Sequence, residues 1–103
     1  MVHAIHRVTA FTIIGQYTLA VSFEDGTRQI IDFLPVLHGA LFGPLQDPVQ
    51  FNAVRLDTEA GTLVWPNGAD FDRTTLHDWP QVGVELARRA AEWDPPAEQP
   101  TRR

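Results

Sequence analysis

The sequence predicts an α+β domain: a small antiparallel sheet (a meander plus a second hairpin) with two or three short helices and a C-terminal helix. Three observations predict it. Large apolar residues recur with period two at Tyr17, Leu19, Val21 and Phe23, the mark of a half-buried strand. Glu24-Asp25-Gly26 and Glu59-Ala60-Gly61 interrupt β-rich runs as hairpin turns. Residues 82–93 carry the only long helical pattern, with Val82, Leu86, Ala90 and Trp93 spaced to share one face.

In chain order, Val8 to Ile14 is rich in β-branched residues and reads as the first strand, turned by Gly15-Gln16. Tyr17–Phe23 is the second strand and Thr27–Phe33 the third. Leu34-Pro35-Val36-Leu37-His38-Gly39 suits one helical turn, and Leu41–Leu45 an apolar loop laid on the sheet. Asp47-Pro48-Val49-Gln50 reads as a capping box opening a helix that ends near Ala53. Val54–Thr58 and Thr62–Trp65 form the second hairpin, and Pro66-Asn67-Gly68 turns the chain sharply. Asp72 caps a short helix through Leu76, with a stop expected at Trp79-Pro80. In the last helix Glu85 faces Arg89 and Arg88 faces Glu92 at spacing four. The expected organisation is a compact domain over 1–81, an amphipathic helix over 82–94 packed on it or on a partner, and a flexible tail over 95–103.

Composition removes several function classes. With 103 residues the chain suits one core, not two. The eight bases are all arginine, so Schiff-base chemistry and a P-loop lysine are excluded. Zero cysteines exclude a thiol nucleophile, disulfides and thiolate zinc sites. The net charge of -5 lies in residues 1–83, where Arg7, Arg28, Arg55 and Arg73 are far apart in sequence. Phosphate backbones are bound by clustered cations, so direct nucleic-acid binding is disfavoured. Neither a signal peptide nor a membrane-length apolar run is read in the sequence, and a cytoplasmic location is the expectation.

Three motifs occur in order: Val21-Ser22-Phe23-Glu24-Asp25-Gly26-Thr27, Asp32-Phe33-Leu34-Pro35, and Leu63-Val64-Trp65-Pro66-Asn67-Gly68-Ala69-Asp70. Together they resemble a small bacterial family, domain of unknown function 2442, from about His6 to Leu76. The resemblance implies a compact α+β domain and no established activity. Some relatives join this domain to a helix-turn-helix; others are encoded beside a second small protein, in the manner of toxin–antitoxin pairs. This chain departs from the first arrangement, because only one helix is expected after Trp79. It also has Phe71 and His77 where the resemblance would place a leucine and an aromatic residue.

No chemistry-bearing constellation stands out. His3, His6, His38 and His77 lack metal-ligand spacing, and Glu24-Asp25 is an ordinary turn pair. Ser22 lies in a strand, outside any nucleophile motif. No catalytic residue, metal ligand or cofactor is therefore assigned. The expected function is a non-catalytic protein–protein interaction module, antitoxin-like in type. Its contacts would be Trp65 as aromatic anchor, Asn67 and Asp70 as polar contacts, and Leu86 and Trp93 on the terminal helix. The partner would be another protein, such as a neighbouring gene product, or a second copy. Two alternatives stand beside this: a minimal regulator contacting nucleic acid as a dimer, and a small ligand-binding domain or enzyme with a pocket near Trp65 and Asp70.

Overall fold

A computed structural model of the protein describes residues 6–93. Strands β1 (Val8–Gly15), β2 (Thr18–Phe23) and β3 (Arg28–Asp32) form an antiparallel sheet in the order β1-β2-β3. The predicted meander is therefore present. Its first turn differs in one residue: Tyr17 leaves the strand and takes a positive φ of 57° in the turn. There its ring meets Phe51 edge-on at 5.6 Å, and its hydroxyl donates to the Gln46 carbonyl. Those two contacts hold a conformation that a non-glycine residue adopts only when its surroundings enforce it.

Period two fixes which face of this sheet is buried. Leu19, Val21, Phe23 and Ile31 are buried beneath it. A bulge between Val8 and Ala10 and another between Ile13 and Gly15 shift the β1 register.

After β3, Leu34–Val36 makes the expected single turn, here of 3-10 type. The segment expected to be an apolar loop is helical instead: α1 (Gly39–Phe42) runs into a 3-10 turn at Gly43–Gln46. Gly39, at φ 84°, redirects the chain, and Pro44 sits in the first turn, where its missing N–H has no helical partner to lose. Only Leu45 of this stretch is fully buried, and Leu41 is 45% exposed. Asp47 caps α2 (Pro48–Phe51) by accepting from the Val49 N–H. The reciprocal half of the capping box does not form with Gln50, because the Asp47 N–H already donates to the Pro44 carbonyl.

β4 (Arg55–Asp57) and β5 (Thr62–Val64) form the second hairpin as a separate two-stranded sheet. It meets the first sheet where the Val8 N–H donates to the Gly61 carbonyl. Asp72 caps α3 (Arg73–His77) through the Thr74 and Thr75 N–H groups, as predicted.

The last helix is the main correction. α4 runs Trp79–Ala90, three residues earlier than expected at its start. Trp79-Pro80 opens it rather than stopping the preceding one. The first four N–H groups of a helix lack intrahelical acceptors, so proline is at home there. Gly83 and Ala90 are buried, Val82 is half-buried, Leu86 and Ala87 pack on the core, and Trp93 lies beyond the helix end. The expected Glu85–Arg89 pair forms at 3.4 Å, while Arg88 pairs with the same Glu85 at 2.5 Å and feels Glu92 only as a nearby charge. The expected tail over 95–103 lies outside the described residues, as does His3.

The core lies between the sheet, the hairpin and α4. Its centre is aromatic: the Phe33 ring lies 5.7 Å from Phe51, 6.0 Å from Trp65, 5.4 Å from Phe71 and 5.5 Å from Trp79. Such tilted and edge-on contacts add to the area each ring buries.

Candidate functional site: a motif turn, a histidine pair and an apolar groove

The Trp65–Asp70 motif resolves into one core residue, one tight turn and one exposed acid. Trp65 is 2% exposed and its indole N–H donates to the Phe51 carbonyl at 2.8 Å. It therefore cannot be the surface anchor the sequence suggested. The signal was available, since Trp65 follows the buried Leu63 at spacing two on one face of the hairpin. Asn67 is engaged at both ends of its amide. Nδ2 donates to the Leu41 carbonyl at 2.9 Å, and Oδ1 accepts from the Ala69 N–H at 3.0 Å. Gly68 supplies the positive φ of 91° that the turn requires. Asn67 is thus a clasp between the turn and α1.

Asp70 is exposed and its carboxylate makes no hydrogen bond or ion pair among the described residues. It borders a polar cleft of about 640 Å³ shared with Arg7, Glu59, Asp72 and Arg73. A cleft does open beside Asp70, but Trp65 takes no part in it. Arg7 and Arg73, far apart in sequence, come together here. Arg7 donates to the Thr58 and Glu59 carbonyls and Arg73 to the Ala60 carbonyl at 3.1 Å. Both guanidinium groups tie down the β4–β5 turn.

No spacing or motif in the sequence points to the histidine pair. His6, just before β1, stacks on His77 at the end of α3, with ring centroids 3.9 Å apart and planes 12° apart. His77 Nε2 lies 2.7 Å from Asp25 Oδ2 and its Nδ1 lies 2.8 Å from Asp78 Oδ1. Phe23 meets the same ring edge-on at 5.1 Å. Asp25 is therefore more than a solvated turn acid: it joins the β2–β3 hairpin to α3 across 52 residues of chain.

Ligand atoms of His6, His77 and Asp78 lie within 4.8 Å of one another, close enough to be tested as a cation site. The arrangement fits one poorly. Metal binding needs a neutral imidazole with a free lone pair. Both His77 nitrogens face carboxylates, which makes the doubly donating imidazolium the favoured form. Stacked rings also direct their in-plane lone pairs side by side rather than toward one point.

The charges follow the geometry. The hydrogen bond to Asp78 raises the His77 pKa above its ordinary 6.5; burial opposes this and Asp25 reinforces it. Asp25 is lowered to about 2, first by the Thr27 N–H and then by His77. The linkage has two signs. His77 stabilises the fold fully below its ordinary pKa, and this is lost as pH rises through the raised value. Asp25 stabilises above its ordinary 3.8, and this is lost as pH falls toward about 2. The staple is whole between these limits. The urea midpoint should therefore decline as pH rises past neutrality, and His77→Gln should flatten that alkaline limb. An unchanged limb in the variant would show that His77 is not its source.

The third feature is an apolar groove of about 310 Å³ between α1 and the chain just after α4. Leu41, Phe42 and Trp93 line it, with His38, Gly39 and Ala40. Phe42 stacks on Trp93 at 5.9 Å, while Trp93 remains 39% exposed. Leu86, the other helix residue expected at a contact surface, is half-buried on the chain's own core.

With its antiparallel meander, second hairpin and Trp65–Asp70 turn, the molecule is a mixed α+β domain. The chain belongs to DUF2442, a protein family of unknown function, whose profile matches residues 8–82. The match spans both sheets, the motif turn and the start of α4, and stops short of Trp93. Neither a curated protein nor a solved structure matches the chain.

Proposed function

We propose that the chain is a non-catalytic module that binds another protein through the groove between α1 and Trp93. The observation that carries this reading is the exposure of large apolar side chains around one concavity: Leu41 at 45% and Trp93 at 39%. Exposed aromatic and aliphatic groups beside a pocket are what a partner's apolar side chain can desolvate. The net charge of -5 suits a partner with basic residues around that side chain, which speeds encounter and sets orientation. An antitoxin-like role beside a neighbouring gene product, in the cytoplasm, is the specific form of this proposal. No helix among the described residues is long and apolar enough to cross a membrane.

Two observations weigh against the alternatives. The histidine with the most perturbed surroundings has no nitrogen free to act as a base. Arg7 and Arg73 close on backbone carbonyls, and Arg88 and Arg89 face Glu85, which leaves little clustered cation for phosphate among the described residues.

Co-expression with the product of the adjoining reading frame should give one co-eluting species in size-exclusion chromatography. Leu41→Ser and Trp93→Ala should each weaken it by about tenfold or more, as expected of groups at an interface centre. Independent elution, or full affinity in both variants, would sink the reading.

A further inference from the structure

The outer face of the three-stranded sheet carries a self-complementary pattern. The register places Thr12, Ala20 and Ile30 side by side across the strands, with Ala10, Thr18 and Ser22 around them. Arg28 and Asp32 lie two residues to either side of Ile30 on β3 and so share its face. A solvent face of an antiparallel sheet is ordinarily polar. This one mixes small hydroxyl residues with apolar ones, and two of the apolar ones are large: Ile30 is 56% exposed and Ile14, in the β1 bulge, is 50% exposed. Charge enters only through Arg28 and Asp32. Arg28 has no ion pair among the described residues, and Asp32 uses one oxygen to accept from the Leu34 N–H.

We infer that this face packs on the same face of a second copy of the chain, about a two-fold axis running across the strands in the plane between the sheets. That operation reverses strand direction and keeps each strand over its own mate. Ile30 then meets Ile30 of the partner copy and each Arg28 faces the other copy's Asp32, while Ala20, only 3% exposed between its neighbours, makes no contact of its own. A two-fold interface requires this reciprocity, in which one residue contacts a second and the second contacts the first. An unrelated partner would have no reason to match a cation, an apolar residue and an anion in mirrored order.

The size of the patch sets the strength. Three strands about 4.8 Å apart and five residues at about 3.3 Å rise give a footprint of about 14 by 16 Å. That is small beside the roughly 800 Å² per partner of a standard interface. The dimer is accordingly weak, forming in the micromolar range or above. It uses a different surface from the groove and does not rest on the protein-binding proposal.

Sedimentation velocity of the full chain at low salt, from micromolar to near-millimolar concentration, tests it. A monomer–dimer equilibrium is expected, weakened by Ile30→Glu at least tenfold, since acids would then face each other across the axis. Arg28→Asp alone should weaken it through apposed carboxylates. Combining Arg28→Asp with Asp32→Arg should restore it, because the exchanged charges again oppose. Circular dichroism melts check that each variant stays folded; Ile30 and Arg28 are exposed, so neither change touches the core. A wild-type chain that stays monomeric throughout overturns the proposal. So does a dimer indifferent to Ile30→Glu, or one lost only on Trp93→Ala, which would assign association to the groove.

Discussion

Trp65→Ala is expected to unfold a large fraction of the molecules or lower the melting temperature steeply. Removing a buried tryptophan costs about 3–5 kcal/mol, as transfer free energy plus the cavity left behind. Here the cavity would open beside Phe33, Phe51 and Phe71, whose ring centroids lie 5.6–6.0 Å from the Trp65 ring. In a domain of this size each kcal/mol moves the midpoint by about 4–8 °C, so even the low end is about 12 °C. Trp65→Phe separates packing from hydrogen bonding. It keeps much of the volume and loses the indole N–H, while the Phe51 carbonyl still accepts from the Val54 N–H at 3.2 Å. The cost should fall to about 1–2 kcal/mol. Differential scanning calorimetry reads both. A near-native melt for Trp65→Ala would return this residue to the surface. The consequence for function is direct: any loss of partner binding in that variant reports lost structure, and Leu41 and Trp93 are the positions that report contact.

The elements that could be read from the sequence are those whose cause is local. Period two located the meander, Asp-Gly its second turn, and Asp47 and Asp72 the starts of α2 and α3. The errors arise where a neighbour distant in sequence decides. Tyr17 reads as a strand residue by its spacing, yet contacts with Gln46 and Phe51 hold it in the turn. Pro80 reads as a stop by propensity, yet α4 begins around it with Trp79 on the aromatic core. The histidine staple joins residues from the meander's second turn, α3 and the segment just before β1, and no spacing rule connects His6, Asp25 and His77. The groove is a further case: Trp93 was legible as an exposed aromatic, but its apposition to Leu41 and Phe42 depends on how α1 and α4 pack.

Gly83 exposes the same limit most sharply, because propensity and packing there predict opposite signs. A glycine inside a helix ordinarily costs about 1 kcal/mol relative to alanine, so Gly83→Ala should stabilise α4. The structure predicts the reverse. A Cβ at Gly83 would lie 2.7 Å from Trp79 Nε1, 2.9 Å from its Cδ1 and 3.0 Å from its Cε2. The Trp79 ring has little freedom to retreat, since Phe33 and Phe71 meet it at 5.5 and 6.0 Å. Overpacking of this kind costs about 1–3 kcal/mol, enough to outweigh the propensity gain. Gly83→Leu should go further, displacing Trp79 and lifting α4 from the core for a loss above about 3 kcal/mol. Urea titration followed by tryptophan fluorescence resolves the two steps: a lower midpoint in Gly83→Ala, and in Gly83→Leu a red-shifted native baseline as Trp79 meets water. A higher midpoint in Gly83→Ala would mean that backbone propensity governs this position and that Trp79 packs elsewhere.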